Sequence, residues 1–151
     1  MKNAMIVYSK TGNTLAVAKR LNEVLDYELL SVTALSDDPN QTFVSLVETP
    51  DVSVYPHIIF AAQTHAFRLS KIMQAYLNQL ESLAGKTVDL LVTHYFPFAF
   101  LGGNQTIKQM KKMVEFKGGT VLRTFCINWR SKKREQTILS MIETYREEKT
   151  I

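Results

Sequence analysis

The sequence predicts an α/β protein, a three-layer doubly wound sandwich with a five-stranded parallel sheet between helices. Short apolar runs alternate five times with amphipathic helical patterns, which is typical of βαβ units. Several of the runs are apolar at consecutive positions, as in strands that are covered on both faces. Right-handed crossovers then place helices on both sides of the sheet.

The predicted elements follow one another with little interruption. Strands are predicted over residues 4–8, 27–32, 57–62, 87–93 and 120–128. Helical patterns begin at Thr14 and near residues 69, 105 and 132, with apolar residues at three- and four-residue spacing. Residues 36–56 are the least periodic stretch, with turn residues and at most a short helix around 42–47.

Length and composition fit one globular domain over residues 1–151. Hydrophobic residues make up 46% and charged residues 21% of the chain, which argues against a disordered chain or a coiled coil. The apolar runs are far shorter than the ~20 residues that span a bilayer, and the N-terminal run is too short for a signal-peptide core. We therefore expect a soluble, cytoplasmic protein. Since no predicted helix is apolar on two faces, we expect a monomer or a weak homo-oligomer.

The charge is unevenly distributed. Residues 1–104 contain 7 Lys and Arg against 9 Asp and Glu, a net charge of −2, whereas residues 105–151 contain 11 against 5, a net charge of +6. A basic region of this kind indicates an anionic partner or a solvated helix face. No stripe of interleaved aromatics and arginines supports nucleic-acid binding.

The strongest motif is the hexapeptide SKTGNT between the first strand and the first helix. Hydroxyls and backbone N–H groups in such a turn converge at a helix N-terminus, where the helix dipole favours an anion. Gly12 permits a positive φ, and Thr14 stands where an N-cap is expected. The spacing fits neither a Walker loop nor a dinucleotide fingerprint. The motif therefore predicts a phosphate site, with a plain capped turn as the alternative.

Two further loops leave strands at the same edge of the predicted sheet. Residues 63–70 follow the third strand and residues 94–104 follow the fourth. Ligands of open α/β sheets bind beyond the carboxyl ends of the strands. The second of these loops is rich in aromatic residues, which form an apolar surface suited to a flat ligand. These aromatics are Tyr95, Phe96, Phe98 and Phe100.

Taken together, these residues resemble the flavodoxin-like FMN proteins. The hexapeptide resembles their phosphate loop, and residues 62–67 and 93–104 match their two flavin-contact loops. Residues 102–106, GGNQT, are similar to a stretch of the quinone-reductase branch of that family. The resemblance covers essentially the whole chain and implies the strand order 2-1-3-4-5.

The resemblance implies FMN as the cofactor and a role for each loop. The phosphate would rest on the hexapeptide, which is Ser9, Lys10, Thr11, Gly12, Asn13 and Thr14. The first flavin loop would border the isoalloxazine with Gln63, Thr64, His65, Ala66 and Phe67. The second would supply aromatic contact and backbone amides from Tyr95, Phe96, Gly102, Gly103 and Asn104.

The chain departs from the family pattern in two respects. Neither flavin loop contains a tryptophan, because Trp129 lies at the end of the fifth strand, and His65 stands where many members have an indole. Neither loop contains an acidic residue, and Arg68 lies in the first. We therefore expect weaker stacking and a less negative second reduction potential than in an acidic flavodoxin.

Three functions follow from this interpretation. The first is a one-electron carrier that serves a redox partner protein. The second is a small reductase that takes hydride from NAD(P)H and reduces a quinone-like acceptor. The third is a partner-binding module that acts through the basic C-terminal third, for example through Lys132, Lys133 and Arg134. The carrier is slightly favoured, since the chain has no separate nicotinamide motif.

The remaining reactive side chains have structural interpretations. His57 and His94 flank buried strands and are expected to be satisfied by backbone, and three histidines without ligand spacing do not predict a zinc site. Cys126 is expected to be a small buried hydrophobe and, as the single cysteine, cannot form an internal disulfide. No metal site is predicted.

Overall fold

The computed structural model describes residues 2–95 and 103–149, in which four helices surround one sheet. The helices are α1 (Asn13–Leu25), α2 (Lys71–Gln79), α3 (Gly103–Phe116) and α4 (Arg134–Lys149). The strands are β1 (Ala4–Val7), β2 (Glu28–Ser31), β3 (His57–His65), β4 (Arg68–Leu69), β5 (Thr87–His94) and β6 (Thr120–Asn128).

The sheet has the predicted topology. Its five long strands are parallel and lie in the order β2-β1-β3-β5-β6, which is the order 2-1-3-4-5 when only these five are numbered. A sixth strand was not predicted: β4 folds back on the end of β3 as an antiparallel partner. The apolar run ends at residue 62, but backbone hydrogen bonding carries β3 on through the polar residues up to His65.

Two cores lie on the two faces of the sheet, which confirms the three-layer architecture. On one face, α2 and α3 pack on alternate strand residues such as Ile6, Phe60 and Leu90. On the other face, α1 and α4 pack on Met5, Ile59 and other residues of the opposite phase. The interior strand residues from Ile58 to Ala62 are almost fully buried, as the continuous apolar run indicates.

The connection between β2 and β3 forms no helix. Ala34 pairs with Leu46 in an isolated antiparallel bridge, and Val44 and Leu46 pack against the core. The short helix expected around 42–47 is therefore wrong, because this stretch obtains its backbone hydrogen bonds from residues 33–35. No helix in the described ranges has the length and apolar character to cross a membrane.

A buried carboxylate links three elements near the amino ends of the strands. Asp89 of β5 is fully buried, and its carboxylate accepts hydrogen bonds from Tyr145 of α4 at 2.6 Å and from the Arg123 guanidinium at 3.1 Å. His57 Nε2 lies 3.2 Å from the same oxygen, and its Nδ1 lies 2.7 Å from Thr87 Oγ1. His57 is therefore satisfied by side chains rather than by backbone as expected.

These partners determine the titration of Asp89. Burial raises the pKa of its carboxyl, but hydrogen bonds from His57 and Tyr145, followed by the charges of His57 and Arg123, more than offset burial, so the pKa is lowered. Because its pKa is lowered, the ionised carboxylate stabilises the native state at pH values above the ordinary aspartate pKa of about 3.9. That stabilisation is lost as the pH falls through the lowered pKa.

Replacing Asp89 tests this network. Asp89→Ala leaves the buried Tyr145 hydroxyl and the partly buried Arg123 and His57 side chains without their shared acceptor, so we expect the free energy of unfolding to fall by about 3 kcal/mol at pH 7. Below about pH 4, the stability of the variant should also fall less steeply with pH than that of the natural chain. Urea unfolding across pH checks both effects. Glu143→Ala, which removes an exposed ion pair with Arg146, should cost less than about 1 kcal/mol.

Candidate functional site

The turn between β1 and α1 presents an open helix N-terminus. Gly12 is the N-cap, with φ 90° and ψ −8°, and it donates its backbone N–H to Ser9 Oγ at 3.1 Å. Helix α1 has no side-chain cap and no acidic residue in its first turn. The positive end of its dipole is therefore available to an anion.

Thr14 does not cap α1, contrary to the sequence expectation. Its side chain is fully buried, and its hydroxyl lies 2.7 Å from the hydroxyl of Thr93 at the end of β5. One hydroxyl of the pair donates to the other, so one hydroxyl proton is not used within the pair. Gly12 has a left-handed, non-helical conformation and the helix begins at the next residue, so the cap position falls two residues earlier than the threonine.

The first predicted flavin loop is the tip of a hairpin. Gln63, Thr64 and His65 are the last residues of β3, and Ala66 and Phe67 form the two-residue turn to β4. Both turn residues have positive φ, at 47° and 69°, as a type I′ hairpin turn requires. Since neither is glycine, the tip has backbone strain that the rest of the hairpin must offset.

Hydrogen bonds fasten this hairpin to its neighbours. Gln63 Oε1 accepts the backbone N–H of Lys10 at 3.1 Å, which ties the hairpin to the turn after β1. Thr64 Oγ1 lies 2.9 Å from the hydroxyl of Thr106, which is buried in the first turn of α3. The hairpin is thus held between the N-terminal turns of two helices.

The second predicted flavin loop is described only at its ends. Tyr95 follows β5, is 52% exposed, and accepts a hydrogen bond on its hydroxyl from Asn13 Nδ2 at 2.8 Å. Phe96 and Gly102 lie outside the described residues. Gly103 is buried at the start of α3, where an added Cβ would lie 3.0 Å from the His94 ring, and Asn104 is exposed.

These segments surround one cavity of about 260 Å³ at the carboxyl edge of the sheet. Seven of its lining residues were predicted as site residues: Lys10, Thr11, Asn13, Gln63, Thr64, His65 and Tyr95. Four were missed: Pro39, Thr93, His94 and Trp129. Thr93, His94 and Trp129 could have been found, because each ends or directly follows a strand at this edge. Pro39 carries no such signal.

Trp129 therefore reaches the site from the fifth parallel strand rather than from either flavin loop. Its backbone N–H donates to the His94 carbonyl at 2.7 Å. The Arg134 guanidinium lies 4.3 Å from the centre of the indole and donates to the Trp129 carbonyl at 2.6 Å. Arg134 is thus a support for Trp129, whereas Lys132 and Lys133 are exposed.

Charged groups reach the neighbourhood of the cavity from a third segment. Asp37 and Asp38 of the β2–β3 connection line a narrow cleft next to it, together with Tyr8, Lys10 and His65. Burial, and then the charge of Asp37, raises the pKa of Tyr8. Neither flavin loop contains an acidic residue. The β2–β3 connection, which was not predicted as part of the site, brings the carboxylates of Asp37 and Asp38 next to the cavity.

Other features of the structure offer less chemistry. Burial raises the pKa of the Cys126 thiol to about 11, so it is protonated and weakly nucleophilic at neutral pH. A larger hollow of about 530 Å³ lies at the opposite edge, between residues 49–53 and 79–82, but it has none of the helix-start geometry described above. The described residues contain no group of three His, Cys, Asp or Glu side chains that could hold a metal ion.

Comparison with solved structures identifies the architecture. Flavodoxin 1 from Bacillus cereus superposes with a TM-score of 0.70 at 17% identity, over 97% of this chain and 98% of that one. A flavoprotein in complex with FMN from Lactobacillus acidophilus NCFM gives 0.67 at 16% identity, over 83% and 92%. A flavodoxin from the domain Archaea gives 0.65 at 13%, over 98% of each chain. The fold is flavodoxin-like.

The sequence itself matches no family model and no curated protein. The flavodoxin-like fold is thus shown by the course of the backbone rather than by sequence identity. It explains why the turn after β1, the hairpin after β3 and the residues after β5 meet: in this fold, parallel strands end at one edge and the order reverses between β1 and β3.

The conformation of Gly12 leads to a testable prediction. An added Cβ would meet no atom within 4 Å, so the cost of Gly12→Ala comes from its positive φ alone. We expect the free energy of unfolding to fall by about 1–2 kcal/mol. Denaturant unfolding measures this cost. Thr11→Ala is the control and should change stability little, because Thr11 is exposed; an equal loss in both variants would contradict the assigned backbone strain.

Proposed function

We propose that this chain binds FMN at the carboxyl edge of its sheet and transfers electrons through it. The observation that carries the proposal is the open N-terminus of α1, whose first turn contributes Thr14 to the Thr14–Thr93 hydroxyl pair. This arrangement offers helix amides and a buried hydroxyl proton to a phosphate, and no carboxylate in the first turn opposes it. The flavoprotein in complex with FMN that shares the fold supports the same cofactor.

The neighbouring residues suit the rest of the cofactor. Tyr95 and Trp129 bring aromatic surface to the cavity, which favours a flat heterocycle. His65 and Thr64 border the same space from the hairpin. Gly103 and Asn104 lie at the end of the second flavin loop, and their backbone amides would donate hydrogen bonds to the polar edge of the ring.

When bound, FMN supplies the redox chemistry, and the protein determines its position, access and potential. The turn after β1 would hold the phosphate, and hydrogen bonds to Gln63 and Tyr95 fix that turn to two other segments of the site. Tyr95 is positioned by Asn13, and Trp129 by Arg134. Acid groups at Asp37 and Asp38 lie beside the site, while Lys10 adds positive charge at the turn.

Titration with FMN tests the cofactor assignment directly. Trp129 is the single tryptophan and lines the cavity, so bound flavin, which absorbs where indole emits, should quench its fluorescence. Thr14→Val removes the buried hydroxyl at nearly constant volume. Since hydrogen bonds to charged groups contribute about 1.5–3 kcal/mol, we expect the Kd for FMN to rise by about 10- to 100-fold.

Two glycines provide a matched control for this titration. Gly12 and Gly85 both have positive φ and open space around the missing Cβ, so Gly12→Ala and Gly85→Ala should lose similar stability. Only Gly12→Ala should also weaken FMN binding, because Gly85 lies in the turn before β5 at the other edge of the sheet. Equal FMN affinities for both variants would place the phosphate elsewhere.

Electron transfer to a partner protein and direct reduction by NAD(P)H remain the two finer proposals. A one-electron carrier should be reduced slowly by nicotinamides, since they deliver hydride, and rapidly by a reductase. Stopped-flow mixing of the FMN-loaded protein with NADH and NADPH separates the two. Bleaching of the flavin absorbance within seconds by either nucleotide would contradict a pure carrier and favour the reductase.

The partner-binding proposal has a different test because of Arg134. Neutralising Arg134 would remove the support of Trp129 as well as a surface charge. Lys132→Gln combined with Lys133→Gln removes only exposed charge. If this surface recruits an acidic redox protein, the double variant should weaken capture without changing FMN affinity.

A further inference from the structure

The connection between β2 and β3 has an apolar outer face. Its residues 33–35 and 45–48 run antiparallel around the Ala34–Leu46 bridge and exchange backbone hydrogen bonds. Side chains alternate between the two sides of such a pair, and Ala34, Val44 and Leu46 pack against the core. The residues between them therefore face outward. Three of these are large hydrophobic side chains that are 56% to 85% exposed, and we call them the connection face: Leu35, Phe43 and Val47.

The connection face lies in an acidic part of the chain. Residues 33–56 contain four acidic residues and no Lys or Arg. Asp37 and Asp38 closely follow Leu35, Glu48 follows Val47, and all three carboxylates are exposed. None of the three forms an ion pair with a described residue. Single exposed hydrophobic residues are ordinary, but a group of them with a charged rim is typical of a protein–protein interaction surface.

Helix α3 presents the opposite charge. Its exposed lysines are Lys108, Lys111 and Lys112, none of which is ion-paired within the described part of the chain, and Glu115 is its one acidic residue. Lys108, Lys112 and Phe116 recur every four residues and thus lie on one side of the helix. Phe116 is 86% exposed. We call Lys108, Lys112 and Phe116 the α3 face.

The two faces lie at opposite ends of one layer of the fold. Residues of the connection and of α3 pack into the same core, on one side of the sheet. The connection follows the edge strand β2, and α3 leads into the other edge strand, β6, with α2 between them. A two-fold axis parallel to the strands and above α2 therefore places the connection face of each copy over α3 of the other. Both contacts then form at once, and the assembly closes with two copies.

We propose that this chain forms a symmetric dimer in which the connection face of each copy binds the α3 face of its partner. The opposite charges attract each other, and the three hydrophobic side chains of the connection face leave water. A second copy is the occupant that the observations favour, because each chain carries both halves of the contact. The dimer does not depend on FMN, so its failure and the failure of the proposed function are distinguishable.

The association is tested first with the natural chain. Sedimentation equilibrium of the full-length protein at increasing concentration should show a monomer that converts into a dimer and into no larger species. Added salt should weaken the dimer, since salt screens exposed charges. A monomer at every concentration, or continued growth beyond two copies, would overturn the proposal.

The apolar side chains are tested by two substitutions. Phe43→Ser and Phe116→Ser remove rings that are exposed in the monomer, so each variant should keep its melting temperature. Each should raise the dissociation constant of the dimer by about tenfold or more, because the change is present in both contacts. Leu139→Ser is the matched control, since Leu139 is 52% exposed on α4, on the other side of the sheet. An unchanged constant in both Phe variants, or an equal rise in the control, would show that another surface holds the dimer.

The pairing of the two faces is tested by exchanging their charges. One variant carries Asp37→Lys with Glu48→Lys, and a second carries Lys108→Glu with Lys112→Glu. Each should weaken the dimer by about tenfold or more, and all four substitutions in one chain should restore it, because opposite charges then meet again. If the combined variant stays as weak as the other two, the two faces do not meet and the proposal is wrong.

Net charge alone makes a different prediction for the second variant. Replacing two lysines by glutamate lowers the net charge by 4, from +4 to 0, which reduces the repulsion between copies. A dimer that becomes tighter in this variant would therefore overturn the proposal. For the first variant, Glu23→Lys with Glu143→Lys adds the same charge on α1 and α4, on the other side of the sheet. This control should leave the dimer within about threefold of the natural chain, and a loss equal to that of the first variant would contradict the assigned faces.

Discussion

The parallel pairing of β1 with β3 is the constraint on which the rest of the structure depends. The register aligns Val7 with Ala61, so both strands reach the carboxyl edge together. The chain then turns into α1 on one face of the sheet and into the hairpin before α2 on the other. Crossovers in opposite directions leave an open space above this pair, and the candidate site occupies it.

Hydrogen bonds across this space turn the topology into a defined site. The backbone of Lys10 is tied to Gln63, Asn13 to Tyr95, and Thr14 to Thr93. Two of these bonds reach the end of β5 and one reaches the end of β3, so the turn and the start of α1 are held by side chains far away in the sequence. This explains why a short hexapeptide can hold an open helix N-terminus in place while its exposed residues remain available to a ligand.

The sequence was sufficient for the architecture because the signals there are local. Continuous apolar runs and helical spacing predicted five parallel strands, and the order was implied by the resemblance. β4 was missed because a two-residue strand joined by Ala66 and Phe67 carries no glycine or asparagine, the usual signal for a hairpin turn. Trp129 was placed correctly at a strand end, but its approach to the cavity also depends on a long-range contact, the hydrogen bond from its backbone N–H to the His94 carbonyl. The pairing of Thr14 with Thr93 is likewise a contact between residues far apart in the sequence.

The central claim is that this edge of the sheet holds FMN, and the visible absorption spectrum tests it most directly. The purified protein is measured as isolated, and again after incubation with excess FMN and desalting. The account predicts flavin bands that survive desalting and are lost in the Thr14→Val variant. A natural chain that remains colourless under these conditions would contradict the account, because its preformed turn would then bind no flavin phosphate.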